Sequence, residues 1–145
     1  MISNPKAAIA LAAGLALSTT WATADDFPRR GYEGAPNGQA QPFAGAWSMK
    51  FPEPEGTIVS AVIVECDDPI RIEALDATHI SYLSPQGGPA AAFEVFEFEG
   101  RTTWLPEGAE SYITVWLDED RFHLHTTDMG RANWGDPRLM VRCPA

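Results

Sequence analysis

Hydrophobic and polar side chains alternate along many short segments of this chain. The pattern is clearest where Ile70, Ile72 and Ala74 alternate with Arg71 and Glu73, because side chains two positions apart lie on the same face of a β-strand. No segment shows a convincing helical period. The alternation predicts strands over 44–50, 57–65, 70–75, 79–84, 92–99, 101–105, 111–118, 121–126 and 138–143.

Turn-forming residues separate these segments. Proline, glycine and aspartate cluster between the predicted strands, where they favour tight turns. Short strands at such regular spacing predict an all-β fold. We expect a small antiparallel up-and-down barrel of about eight strands, with a β-sandwich as the alternative. Residues 129–137 read as a loop with room for one helical turn.

One predicted strand, 92–99, alternates irregularly. Phe93 and Val95 share one face, whereas Phe96 and Phe98 share the other. Either a β-bulge or a two-sided environment would account for apolar residues on both sides.

The amino terminus has the features of a secretion signal. Lys6 precedes an apolar stretch over 7–17, and the small residues of Ala22-Thr23-Ala24 precede an acidic pair. This order predicts a signal peptide over 1–24 that is cleaved near Ala24, and hence a periplasmic or secreted protein; an uncleaved anchor helix is the alternative. Residues 25–42 contain few apolar side chains and are predicted to be a flexible leader, which leaves 43–145 as the barrel domain.

The charge balance excludes some partners. The chain has 20 acidic and 10 basic side chains, a net charge of −10. A nucleic-acid surface needs clustered Lys and Arg, so we expect no nucleic-acid partner. After residue 24 no apolar run is long enough to span a bilayer. An acidic surface would instead attract a cationic periplasmic protein.

The chain contains two cysteines, Cys66 and Cys143. In an exported protein an even pair favours a disulfide, because the compartment is oxidising. The alternative, two thiolates of a metal site, lacks the paired C-x-x-C spacing that zinc usually requires.

Three short motifs resemble the lipocalin and wider calycin pattern. Gly45-Ala46-Trp47 opens the first predicted strand of the barrel domain, Arg142 lies beside Cys143 on the last, and Thr127-Asp128-Met129 occupies the place of a Thr-Asp-Tyr turn, with Met for Tyr. The resemblance implies a ligand-binding barrel in which Trp47 packs against Arg142 at one end. It also implies a disulfide that joins the terminal segment to an interior strand. The domain is shorter than a typical lipocalin and shows no clear C-terminal helix, so the resemblance identifies no ligand residues.

The aromatic content indicates where a ligand would lie. We expect Trp104 and Trp134 at the mouth of the barrel, and Tyr112 and Trp116 on its wall, because barrel mouths commonly hold small ligands. The alternative is that these rings fill the barrel, as side chains usually do in small barrels.

His123 and His125 are candidate metal ligands. Two imidazoles two positions apart on a strand share a face, so they could bind copper or zinc, with Asp128, His79 or Met129 as a third ligand. The alternative is that Phe122, Leu124 and Thr126 face the core and both histidines face solvent.

No catalytic motif is present in the sequence, so we predict no catalytic residues and no required cofactor. The sequence therefore favours an exported, non-catalytic, lipocalin-like protein that binds a small apolar or amphipathic ligand. Two alternatives remain: an acidic protein-binding module, acting as an inhibitor or accessory subunit of an exported enzyme, and a His-x-His metal carrier.

Overall fold

The computed structural model describes residues 30–51, 63–106 and 111–145. The predicted signal peptide and most of the predicted strand 57–65 lie outside these residues. The described elements are the 3-10 turn η1 (Gln41–Phe43) and strands β1 (Gly45–Lys50), β2 (Ile70–Ala74), β3 (His79–Leu83), β4 (Ala91–Phe98), β5 (Arg101–Pro106), β6 (Tyr112–Asp118), β7 (Arg121–Asp128), β8 (Arg131–Ala132) and β9 (Arg138–Arg142). None of the described helical segments is long and apolar enough to cross a membrane.

Eight of these strands close into one antiparallel barrel. Strands β1 to β7 pair in chain order, and β9 pairs with both β7 and β1. The predicted all-β, up-and-down barrel is confirmed, and the sandwich alternative is wrong. Strand β8 adds to β7 outside the ring. It lies within the segment predicted as a loop, where two residues are too few to give an alternating pattern.

The irregular alternation of β4 arises because this regular strand carries apolar residues on both its inner and its outer face. Its pairing with β5 runs without a break from Phe93 opposite Pro106 to Phe98 opposite Arg101. Phe93 and Val95 are buried inside the barrel, while Phe98 is 61% exposed. Of the two explanations offered by the sequence, the bulge is therefore wrong.

Strand β6 points its larger polar and aromatic side chains inward. Tyr112 lies opposite Trp104, and Thr114 lies opposite Thr102, so Tyr112, Thr114 and Trp116 share the inner face. The aliphatic residues of β6 face outward, although Val115 is fully buried there. The outer surface of the barrel at Val115 is thus covered by other parts of the same chain.

One end of the barrel is closed by the residues that precede β1. Phe43 is fully buried, and its ring lies 4.6 Å from that of Trp116. The Nε1 of Trp47 donates to the carbonyl of Phe43 at 2.8 Å, and the amide of Gly31 donates to the carbonyl of Gly100 at 3.0 Å. Residues 30–42, the described part of the predicted flexible leader, therefore pack against the barrel. Their backbone hydrogen bonds offset the shortage of apolar side chains on which the prediction relied.

Arg142 joins this closed end to the terminal strand. Its guanidinium lies 4.3 Å from the Trp47 ring and donates to the carbonyls of Pro42 and Ala44, each at 2.8 Å. Gly45 has φ +139°, and a Cβ there would lie 3.0 Å from the Nη1 of Arg142. Glycine thus leaves the space that the arginine occupies.

The two cysteines form the expected disulfide. Cys66 and Cys143 are bonded to each other across 77 positions of sequence. The bond attaches the chain end that follows β9 to the segment that precedes β2. The alternative of a metal-binding thiolate pair is wrong.

Candidate functional site

A cavity of about 420 Å³ occupies the other end of the barrel, which we call the mouth. It lies where β1, β3 and β5 end and where β2, β4, β6 and β9 begin. Buried residues form one part of its wall: Met49, Val64, Ile70, Phe93, Trp104 and Leu124. Partly or fully exposed residues form the rest: Phe51, Tyr82, Ser84, Gln86, Ala91, Tyr112 and Arg138.

Four aromatic rings are packed together along this wall. The ring centroid of Phe93 lies 5.5 Å from that of Trp104 and 5.8 Å from that of Tyr112. Tyr82 lies 6.2 Å from Trp104. Most of these contacts are edge-on, the geometry favoured between aromatic quadrupoles. The strand order explains the cluster, because β3 to β6 are consecutive neighbours and each directs its inward residues to the same wall.

The cavity also contains hydrogen-bond donors. Burial raises the pKa of Tyr82 to about 12, so its hydroxyl stays protonated at neutral pH. Arg138 is inward-facing and half-buried. The Nε1 of Trp104 is buried and finds no acceptor among the described residues. Leaving such a donor unpaired costs stability, and the Nε1 of Trp116 at the closed end is likewise unpartnered among the described residues.

Of the four residues predicted to bind a ligand, the cavity brings two together. Trp104 and Tyr112 line it on paired strands. Trp104 is only 1% exposed, so it forms an inner wall and does not stand at the rim. Trp116 lies at the closed end against Phe43. Trp134 lies on the outer surface, 4.8 Å from the ring of His125 and 5.1 Å from the guanidinium of Arg101.

Three further cavity residues are not among the four predicted above to bind a ligand. Tyr82 and Phe93 are inward residues of β3 and β4, and alternation alone would have placed both inside the barrel. Arg138 gave no signal, because a single arginine near a chain end is usually exposed. Its inward position follows only from the register, which sets it opposite the buried Leu124.

The two candidate metal ligands share the outer face of β7. Phe122 and Leu124 face the core as the alternative interpretation required, but His125 is buried on the outer side. The ring centroids of His123 and His125 are 6.0 Å apart, and the Nδ1 of His125 lies 3.1 Å from the carbonyl of Asn133. Burial, together with the nearby charge of Arg121, lowers the pKa of His123.

The described residues give these histidines no third His, Cys, Asp or Glu ligand. Within residues 30–51, 63–106 and 111–145, no group of three or more His, Cys, Asp or Glu side chains is placed to hold a metal ion. His79, one of the suggested third ligands, is the first residue of β3. Its Nδ1 lies 2.8 Å from the carboxylate of Asp76, to which it is hydrogen-bonded.

Comparison with known proteins yields no relative. Neither protein-family models nor curated proteins nor solved structures match this chain. The likeness to lipocalins therefore consists of the eight-stranded antiparallel barrel and the short motifs around Trp47 and Arg142.

Proposed function

We propose that this protein is an exported, non-catalytic binding protein that holds a small apolar or amphipathic molecule in the mouth of its barrel. The observation that carries the proposal is the cavity itself. Protein interiors are normally filled to high density, yet this barrel is packed with aromatic rings at one end and leaves about 420 Å³ at the other. That volume lies within the range of small-molecule sites.

The composition of the wall favours an amphipathic ligand. Buried apolar side chains would contact the greater part of a ligand, while Tyr82, Ser84 and Arg138 provide polar groups nearer the mouth. Such a combination, mostly apolar with a few placed polar groups, is typical of small-ligand sites. The Cys66–Cys143 disulfide supports export, because disulfides persist in oxidising compartments.

Binding of the neutral dye Nile red tests the proposal. Its emission rises when it leaves water, so a titration measures a dissociation constant directly. We expect saturable binding with one site per chain. The variant Ala91→Trp places an indole on the inner face of β4 at the cavity wall and should weaken binding at least tenfold by filling the space.

The matched control is Ala92→Trp. Ala92 is the next residue of β4, is exposed like Ala91, and points to the outer face. It should leave the dissociation constant within a factor of two. The absence of saturable binding, or equal binding by both variants, would contradict the proposal.

A second candidate function, contact with a cationic protein, is favoured by the outer face of β4 and β5. Phe96, Phe98 and Leu105 are all partly exposed there, and Glu94 lies directly opposite Leu105. We expect Phe98→Ser to abolish salt-sensitive capture of one defined partner from periplasmic extract, and Leu83→Ser, an exposed outer residue of β3, to retain it. Identical capture by both variants would count against this candidate.

A further inference from the structure

The two inward-facing arginines of β9 have different surroundings. At the closed end, Arg142 donates to two backbone carbonyls and lies over the ring of Trp47. Arg138 lies four residues earlier on the same face, at the cavity wall. Its guanidinium carbon is 5.6 Å from the ring centroid of Phe51, and no carboxylate pairs with it among the described residues. A half-buried guanidinium with five N–H donors therefore lines the cavity with no anionic partner in the described part of the chain.

A second donor, the hydroxyl of Tyr82, belongs to the same cavity. Tyr82 on β3 and Arg138 on β9 both line its wall. A guanidinium and a phenolic O–H can donate to the same carboxylate. Charge-assisted hydrogen bonds of this kind are shorter and stronger than neutral ones.

The neighbouring wall is aromatic. The ring centroid of Phe93 lies 5.5 Å from that of Trp104 and 5.8 Å from that of Tyr112. A planar aromatic group placed among them gains quadrupole contacts that an alkyl chain of equal area does not. The cavity volume is near the lower end of the range for ligand sites, which favours a compact ligand of one or two rings.

We propose that the cavity binds a small aromatic carboxylate, whose carboxylate is held by Arg138 and the Tyr82 hydroxyl and whose ring lies against Phe93, Trp104 and Tyr112. This inference rests on the proposed function, since it names the ligand class of the same cavity. The chain carries a net charge of −10, so its general surface repels anions. Affinity for a carboxylate must then arise locally, at the one guanidinium that lines the described cavity wall.

Calorimetric titration with three probes separates the contributions of charge and ring. The probes are 2-naphthoate, the neutral isostere 2-naphthylmethanol and the aliphatic acid octanoate. At pH 7 we expect naphthoate to bind at least tenfold more tightly than the alcohol and at least threefold more tightly than octanoate. Equal affinity for acid and alcohol would overturn the carboxylate assignment, and tighter binding of octanoate would overturn the aromatic one.

Substitution of Arg138 tests the assigned contact. Arg138→Met should weaken naphthoate binding at least tenfold and leave naphthylmethanol binding within a factor of two. Arg71→Met is the control, because Arg71 is an exposed outer residue of β2 and its loss changes the net charge equally. It should leave both affinities unchanged, whereas equal losses in the two variants would overturn the proposal.

Tyr82→Phe provides a second variant that preserves the ring. It should weaken naphthoate binding three- to tenfold without affecting the alcohol. If the alcohol and Nile red bind in the cavity while the acid gains nothing from Arg138 or Tyr82, the ligand class is wrong and the binding function stands. If no probe binds, both are wrong.

Discussion

Arg142 is predicted to be the largest single contribution of a charged side chain to the stability of the closed end. Its guanidinium donates to two partly buried carbonyls at 2.8 Å, and it lies over the ring of the fully buried Trp47. Each hydrogen bond from a charged donor is worth about 1.5–3 kcal/mol, and the cation–π contact about 1 kcal/mol. The ion pair with Asp120 adds little, because that carboxylate is 70% exposed.

The variant Arg142→Met retains an apolar stem over Trp47 but loses every donor. Taking the lower value for each hydrogen bond, we expect the free energy of unfolding to fall by about 3 kcal/mol. With a urea m-value of about 1.5 kcal/mol per molar, typical of a small domain, the midpoint should fall by about 2 M. Arg142→Lys keeps the charge but cannot reach both carbonyls with a planar fork, so it should lose about half as much.

Urea unfolding followed by tryptophan fluorescence measures these changes. The control is again Arg71→Met, which is expected to stay within about 0.5 kcal/mol of the parent protein, as surface substitutions usually do. A midpoint for Arg142→Met within 0.5 M of the parent value would refute the view that Arg142 joins the segment before β1 to the barrel.

Three further predictions concern stability. Gly45→Ala should lower the free energy of unfolding by about 1–3 kcal/mol, because alanine at positive φ is strained and its Cβ meets Arg142. Urea unfolding of the double variant tests this: an equal loss from Gly45→Ala in the Arg142→Met background and in the parent protein would contradict it. Replacing both cysteines by serine should cost about 4 kcal/mol for a 77-residue separation, and an unchanged thermal midpoint would count against it. Tyr82, with a pKa of about 12 in the folded chain, contributes stability that is fully present below pH 10 and is lost as pH rises towards 12, because the unfolded chain ionises first. Between pH 9 and pH 11 the free energy of unfolding of the parent should fall by about 1 kcal/mol more than that of Tyr82→Phe. Equal falls for the two proteins in urea titrations would disprove the burial of this hydroxyl.

Alternation in the sequence identifies the strands but not the height of a residue within the barrel. Tyr112 and Trp116 lie on the same face of β6, yet one lines the cavity and the other packs at the closed end against Phe43. Their heights depend on the stagger of the paired strands, which is a long-range property. The strand bounds themselves were predicted to within one or two residues for the eight barrel strands, because each turn is marked by its own proline, glycine or aspartate.

Other parts of the site carry no sequence signal of their own. Trp134 belongs to a segment without a regular period, so nothing indicated that it would cover His125 on the outer surface. Arg142 is marked in the sequence by the lipocalin-like pattern that pairs it with Trp47, whereas only the fold directs Arg138 to the cavity. The sequence predicts a flexible leader over 25–42 because this segment is poor in apolar residues, whereas its described part, residues 30–42, is hydrogen-bonded to the barrel.

The most direct test of the proposed binding function is mass spectrometry of the protein purified from the cells that naturally produce it, first under native conditions and then denatured. The account predicts a bound species that is present in the native spectrum of the parent and of Ala92→Trp, disappears on denaturation, and is absent from Ala91→Trp. A bare native mass for the parent protein, or a bound species retained by Ala91→Trp, would contradict the assignment of the cavity as the ligand site.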